Sequence, residues 1–305
     1  MGVYSFKNKT IGENWIMTKR LVKQQSRNYL CNFLGFPTRV IVLIFLFIII
    51  LSPFYWLITN AFKVEQEYFA SPPVILPSRI TTQNFVDAVV KYDLLKGLKN
   101  SLLIATGTSI VTVLAGSMAA YTLINGALPK KLKNVFAGWF LVQKMYPAVL
   151  VAVPVFYIIR SLHLMDNVLS LILMNTSFNL PLVILLMIGF YQELPYEIEE
   201  QSMLDGCSLL QRYIYISTPI VKPGLIATGM LTFIMSWNEF LYAVILTVYR
   251  AKPLTVSIAG FITDKGLIWG PMAAMGCVVV FPVLIIMWLM QKDFISGISA
   301  GALKR

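Results

Sequence analysis

Apolar residues gather along the chain into six long runs separated by shorter polar connections. Their centres lie at Val40–Ile58, Ser101–Ile124, Val135–Ile159, Val168–Phe190, Pro219–Ile245 and Met272–Met290. A helix needs about 20 mostly apolar residues to cross a hydrocarbon layer of about 30 Å, and each run is of that order. The pattern therefore predicts an all-α polytopic membrane protein with six transmembrane helices. Only the first and last runs are nearly unbroken. The others carry Ser, Thr, Asn or Pro, which marks helices that pack on one another or line a pathway. The second run is rich in small residues (Ala105, Gly107, Ala115, Gly116, Ala119, Ala120), as a close helix–helix contact requires. Pro147, Pro154 and Pro181 predict kinks inside their runs. The first run begins only near residue 40, after a long polar tail, and Ser71-Pro72-Pro73 beyond it is no cleavage site, so the run reads as a retained helix rather than a secretory signal.

Between the fourth and fifth runs the pattern changes. Residues 193–218 form two short stretches separated by Asp205-Gly206, the first carrying Glu193, Glu197, Glu199 and Glu200. Pro195 suits a helix start, and Glu197, Glu199 and Glu200 after it complement the positive end of the helix dipole. Gly206 accepts the left-handed conformation that ends a helix. Ser208 and Gln211 have the spacing of a capping box that opens the next helix. Pro219 marks the start of the fifth run. The result is a helix–Gly–helix elbow outside the membrane. By spacing alone it is either an interfacial amphipathic elbow without a partner or a docking surface for another protein.

Composition fits a lipid solvent. Of 305 residues 57% are hydrophobic and 13% charged, with a mean hydropathy of +0.73, whereas ordinary soluble chains are roughly a quarter charged. The net charge of +11 is distributed as membrane topology demands. The first segment carries Lys7, Lys9, Lys19, Arg20, Lys23, Arg27 and Arg39 against Glu13; the connection after the second run carries Lys130, Lys131 and Lys133; the C-terminal end carries Lys292, Lys304 and Arg305. The positive-inside rule makes these three segments cytoplasmic, and six spans then put both termini inside. The connection between the first two runs balances Lys63, Arg79, Lys91 and Lys96 against Glu65, Glu67, Asp87 and Asp93, and reads as a folded external loop. The expected organisation is a basic cytoplasmic tail (1–38), a first transmembrane helix (39–62), an external loop (63–97), a five-helix core (98–290) that includes the elbow at 193–218, and a cytoplasmic end (291–305). No soluble basic domain exists to carry a nucleic-acid function.

Enzymatic chemistry is not legible. No GxxxxGK[ST] phosphate loop occurs, so this polypeptide is not expected to bind or hydrolyse ATP. No nucleophile–base pair or metal-ligand spacing is present, and no cofactor is expected on the chain. Cys31, Cys207 and Cys277 are scattered, and the lone His163 falls in a connection, where a histidine is ordinarily solvated.

The elbow resembles the EAA loop of ABC-importer permeases: Glu-Ala-Ala, three positions, Gly, then an apolar residue and Pro about a dozen residues on. Glu200-Gln201-Ser202 stands at the Glu-Ala-Ala positions, Asp205-Gly206 at the Asp-Gly, and Ile216 and Pro219 at the later pair. Gln201 and Ser202 depart from the two alanines and Cys207 from a third; Arg212 finds no explanation in the pattern. Further matches point to the MalG-type, carbohydrate-uptake permeases: Pro53-Phe54-Tyr55-Trp56, Asn84-Phe85, Leu164-Met165-Asp166-Asn167, Ser236-Trp237-Asn238-Glu239-Phe240 and Gly297 to Lys304. The resemblance implies a type I importer fold, a second related permease subunit, two ATPase subunits that carry ATP and Mg, and an external substrate-binding protein, in the plasma membrane of a bacterium. It implies that Glu200, Gln201, Ser202, Asp205 and Gly206 couple to the ATPase.

Polar groups inside runs are expensive and invite a functional reading. Lys144 and Tyr146 in the third run, and Trp237, Asn238 and Glu239 in the fifth, are candidates for a sugar pathway, or else satisfy helix–helix contacts. Two other functions compete. An ion-coupled carrier would use Glu239 as its carboxylate but leaves the elbow without a role and calls for an internal repeat that the chain lacks. The other keeps the ABC architecture and changes the solute to a polyol, a glycerophosphate-like compound or a polyamine.

Overall fold

The structure, a computed structural model, describes residues 36–302 apart from 264 and 265. Nearly all of the basic tail, with Cys31, and residues 303–305 lie outside the described residues. The chain divides into two compact units, 1–56 and 57–305. Residues 36–56 of the first unit form the greater part of helix α1 (Phe36–Phe62), whose apolar side chains from Ile41 to Leu51 are exposed. The second unit holds the rest of the fold.

The loop after α1 contains a 3₁₀ turn (Glu65–Phe69) and helix α2 (Gln83–Val90). It is a folded segment: Asn84 Nδ2 donates to the carbonyls of Ala61 and Lys63 at 3.0 and 2.9 Å, and Glu67 accepts from the Ser78 backbone at 2.8 Å. The Ser78 hydroxyl, which also donates to Glu67, and this backbone bond hold the Glu67 carboxyl below its ordinary value. Helix α3 (Leu94–Asn125) follows, then α4 (Lys130–Met145), α5 (Ala148–Ser161) and α6 (Val168–Gln192). The elbow comprises α7 (Tyr196–Leu204) and α8 (Leu209–Ile220). Then come α9 (Lys222–Trp237), α10 (Leu241–Leu246), α11 (Leu254–Ala259), a hairpin of β1 (Ile262–Thr263) and β2 (Gly266–Leu267), and α12 (Trp269–Ala302).

Among the described residues four helices are each long and apolar enough to cross a membrane, and two bent pairs raise the number to six. Two predicted runs are not single helices. The third breaks at Tyr146-Pro147 into α4 and α5, which meet at 95°. Proline lacks the N–H that would continue the helix and pushes the residue before it out of the α region; Tyr146 is extended, with φ −74° and ψ 127°. The kink expected there is a corner. Pro154 and Pro181, by contrast, are carried within α5 and α6 without a break. The fifth run starts at Lys222, where α8 and α9 meet at 83°, and breaks again at residues 238–240 before α10.

The centre of the unit is the pair α3 and α6. Small residues let their backbones approach, as the sequence predicted. A methyl group at Gly116 would lie 2.6 Å from Val183 Cγ1, and one at Gly107 2.7 Å from Ile172 Cδ1. Buried side chains form three clusters around this pair. One joins the C-terminal end of α9 to α11 and α12 (Phe233, Trp237, Leu254, Met275), one the base of the elbow (Tyr121, Val183, Tyr191, Tyr213), and one α5 and α10 (Ile159, Leu171, Tyr242, Leu246).

Candidate functional site: the elbow between α6 and α9

Local sequence builds the elbow as expected. Helix α7 starts after Pro195 and stops at Asp205-Gly206, where Gly206 has φ +78° and its N–H donates to Met203 O at 3.1 Å. Ser208 and Gln211 form a complete capping box: Ser208 N donates to Gln211 Oε1 at 2.8 Å, and Gln211 N to Ser208 Oγ at 3.3 Å. The middle of α8, Arg212–Ser217, is wound more widely, as a π-helical turn. Such turns shift side chains on one face of a helix out of their regular spacing and cluster at functional sites.

Burial separates the two faces of α7. Glu199 and Ser202, one turn apart, are its buried residues, at 4% exposure each. The Glu199 carboxylate accepts from Tyr121 Oη at 2.9 and 3.1 Å, from Arg212 Nη1 at 3.2 Å and from Asn125 Nδ2 at 3.4 Å, with a further short bond from Ser217 Oγ. Four residues from two helices thus converge on one carboxylate. Arg212 is itself buried and makes the ion pair with Glu199. Around them Tyr121 packs edge to face on Tyr191 at 5.3 Å and tilted on Tyr213 at 5.4 Å, and Tyr213 Oη shares a hydrogen bond of 2.7 Å with Ser117 Oγ. The elbow is thereby fastened to the last turns of α3.

Glu200, Gln201, Asp205 and Gly206 lie on the exposed face, together with Met203 and Leu204; Leu204 is 83% exposed. Ser202 does not share that face. It sits one turn after Glu199, turns inward and donates to Glu199 O at 2.7 Å. Sequence reasoning missed the group that anchors the elbow. Glu199 carried a weak signal, its one-turn spacing from Ser202; the unexplained Arg212 was a second. Tyr121 lies 78 residues away and carried none.

The proposed pathway residues separate. Trp237 is 2% exposed and stacks on Phe233 at 5.6 Å. Glu239 caps α10, accepting from Tyr242 N at 2.7 Å and Ala243 N at 3.0 Å. Asn238 is exposed, and its amide donates back to Ile234 O at 2.8 Å. Lys144 and Tyr146 are exposed at the α4–α5 corner. A link between the two groups runs through Tyr242, whose Oη donates to Ala148 O at 2.8 Å. Among the described residues no three His, Cys, Asp or Glu side chains are grouped as metal ligands.

The opposite ends of α3 and α6 meet the loop 248–254. Asp166, with φ +55°, accepts backbone N–H bonds from Val248, Tyr249, Arg250 and Ala251 at 2.8–3.2 Å. Burial opposes its ionisation, but the four N–H donors outweigh burial and hold its pKa at about 2. Asn100 Nδ2 donates to the carbonyls of Arg250 and Lys252 at 2.9 and 3.0 Å, and Ser101 Oγ accepts from Leu254 N at 2.9 Å.

Residues 112–292, which include the whole elbow, match the family described as binding-protein-dependent transport system inner membrane component. The chain belongs to this family. Relatives agree along nearly the full length of this permease. The sulfoquinovosyl glycerol transport system permease protein SmoH of Agrobacterium fabrum is 30% identical over 89% of the chain and 95% of its own length. The trehalose/maltose transport system permease protein MalG of Thermococcus litoralis is 31% identical over 87% and 95%, and the diacetylchitobiose uptake system permease protein DasC of Streptomyces coelicolor is 31% identical over 85% and 94%. A bacterial ABC transporter involved in the import of alginate shares the fold, with a TM-score of 0.71 at 19% identity over 84% of this chain and 95% of that one. The permease is therefore a multi-pass membrane component of a transport system with the type I importer fold, not its catalytic subunit.

Proposed function

We propose that this permease forms half of the translocation pathway of an ABC importer for a carbohydrate, and that the elbow is where ATP hydrolysis on separate subunits is coupled to it. The observation that carries the coupling is the two-faced α7. Its inner face is fixed to α3 through Glu199, while Glu200, Gln201, Leu204, Asp205 and Gly206 are left outward for a partner. A docking element needs both: an exposed apolar and polar face to be gripped, and a stiff attachment that carries the movement inward. Ser202 belongs to the attachment. The full assembly adds a second related permease subunit, two ATPase subunits holding ATP and Mg, and an external binding protein, with both termini and the elbow on the cytoplasmic side of a bacterial plasma membrane. Relatives named for trehalose/maltose, trehalose, diacetylchitobiose and sulfoquinovosyl glycerol support a carbohydrate or glycoside as the solute.

The test is to reconstitute the permease with its copurifying partners in nanodiscs and follow ATP hydrolysis with and without the binding protein and candidate sugars. Hydrolysis stimulated by one sugar with its binding protein, and lost in Gly206→Asp while the complex still assembles, is the expected result. Uptake that follows an imposed ion gradient, with no ATPase copurifying, would overturn it.

A further inference from the structure

Beside the break in the fifth span lies a cavity of about 10 Å³, lined by Ser101, Asn175, Ser236, Trp237 and Glu239 among others. Three of these residues have a buried polar atom without a partner in the protein: Asn175 Nδ2, Ser236 Oγ and Trp237 Nε1. The residues are 3%, 5% and 2% exposed. They come from two elements, Asn175 from the middle of α6 and Ser236 and Trp237 from the last turn of α9. Glu239 follows within the break and faces the same space while capping α10. Buried polar groups are almost always paired, so three orphans around one small cavity point to a shared ligand.

Chemistry and size select the ligand. The cavity has room for about one water molecule, and no sugar hydroxyl with its carbon framework fits there. Indole Nε1 and the Asn amide nitrogen can only donate, so the ligand must accept twice. That excludes a sodium ion, which accepts nothing. The Glu239 carboxyl borders the same space and Ser236 Oγ can donate or accept, so a ligand that accepts twice and can also turn a hydrogen toward these oxygens fits better than a simple anion. We infer that a single structural water is bound here, accepting from Trp237 and Asn175 and donating toward Glu239 and Ser236, and that it ties α6 to the broken end of α9. Trp237 and Glu239 are then parts of a polar joint inside the protein rather than groups that meet the solute.

Hydroxyl-radical footprinting of the whole importer complex in nanodiscs tests this, because radicals formed from a bound water mark the side chains that touch it. After rapid mixing with H₂¹⁸O, Trp237 is expected to be oxidised severalfold more than the equally buried Phe261, and to take up ¹⁸O later than the exposed Tyr249. Asn175→Leu, which fills the cavity, is expected to abolish the Trp237 mark and leave Tyr249 unchanged; the wild-type comparison decides even where that variant does not assemble. A Trp237 signal no higher than that of Phe261 would overturn the inference. So would a signal that changes when choline replaces sodium, since that outcome assigns the cavity to the cation.

Discussion

The two ends of the α3–α6 pair are fastened by different chemistry. At the elbow, side chains meet side chains: one carboxylate, Glu199, gathers Tyr121 and Asn125 of α3 with Arg212 and Ser217 of α8. At the other end, side chains meet backbone: Asp166 takes four successive N–H groups of the loop 248–251, and Asn100 binds two carbonyls of the same loop. A backbone nest has one geometry and closes a loop. A network of long side chains around a buried ion pair has alternatives, because each partner can rotate or be handed to another acceptor. On the proposed function, the difference puts rigidity at one end and transmission at the other. Under the proposed coupling, a pull on the elbow reaches α3 mainly through Glu199 and its partners, with the Tyr213–Ser117 bond beside them.

The strongest way to break that reading is Glu199→Ala. It leaves Arg212 buried without a counter-charge, and removing one partner of a buried pair costs about 3–5 kcal/mol. The expected outcome is a large fall in thermal stability and loss of coupled uptake. Adding Arg212→Met removes the stranded charge and should restore most of the stability but not the coupling. Thermal unfolding and uptake measured together on the same proteoliposome preparations separate the two. Recovery of uptake along with stability would reduce Glu199 to a packing group.

The elbow's outline was legible because its signals are local. Gly206, the Ser208–Gln211 box and Pro195 each act over three or four residues, and the structure has them where spacing put them. The six runs were legible for the same reason, since apolar length is a local property. What was not legible depends on contacts far apart in sequence. Tyr121 and Glu199 lie 78 residues apart and Asp166 and Arg250 lie 84 apart, and one sequence gives no pairing between them. Glu239 shows a different limit: a charge inside an apolar run left a solute contact and a helix contact both open, and the structure shows its carboxylate engaged by the backbone of its own helix. The corner at Pro147 was read as a kink because proline tells where a helix is interrupted, not the direction in which the chain leaves.

At the rigid end the measurement is pH. Asp166 has its pKa lowered to about 2 from an ordinary 3.8. A depressed carboxyl contributes stability in full above its unfolded value and loses it as pH falls through the folded one. The clamp should therefore hold at pH 5 and above, weaken below about pH 4 and be gone near pH 2. Asp166→Ala should remove about 2 kcal/mol at neutral pH and speed hydrogen exchange at the amides of Val248, Tyr249, Arg250 and Ala251. Amides that stay protected in the variant would mean that Asn100 and Ser101 alone close the loop.

Gly206→Ala is a smaller perturbation of the transmitting end. At φ +78° a Cβ is strained, although nothing lies within 4 Å to clash with it, so the cost is that of left-handed backbone, about 1–2 kcal/mol. Gly206→Asn, which tolerates that backbone better, should lie between alanine and wild type in both stability and sugar-stimulated ATP hydrolysis. Equal loss of hydrolysis in both variants would make the partner's close approach, rather than backbone strain, the reason for glycine.

The finest distinction is between the elbow's own caps and its attachment to α3. Ser208→Ala breaks the capping box on the exposed side of the joint and leaves every Glu199 contact intact. The loss of one N-cap is worth about 1 kcal/mol, and it frays the start of α8 without releasing α7 from Tyr121. Coupled uptake should remain near wild type in Ser208→Ala, while hydrogen exchange quickens only at Leu209, Leu210 and Gln211. If uptake instead falls as far as in the Arg212-compensated Glu199 variant, transmission depends on the stiffness of the whole elbow, and the buried carboxylate is one support among several.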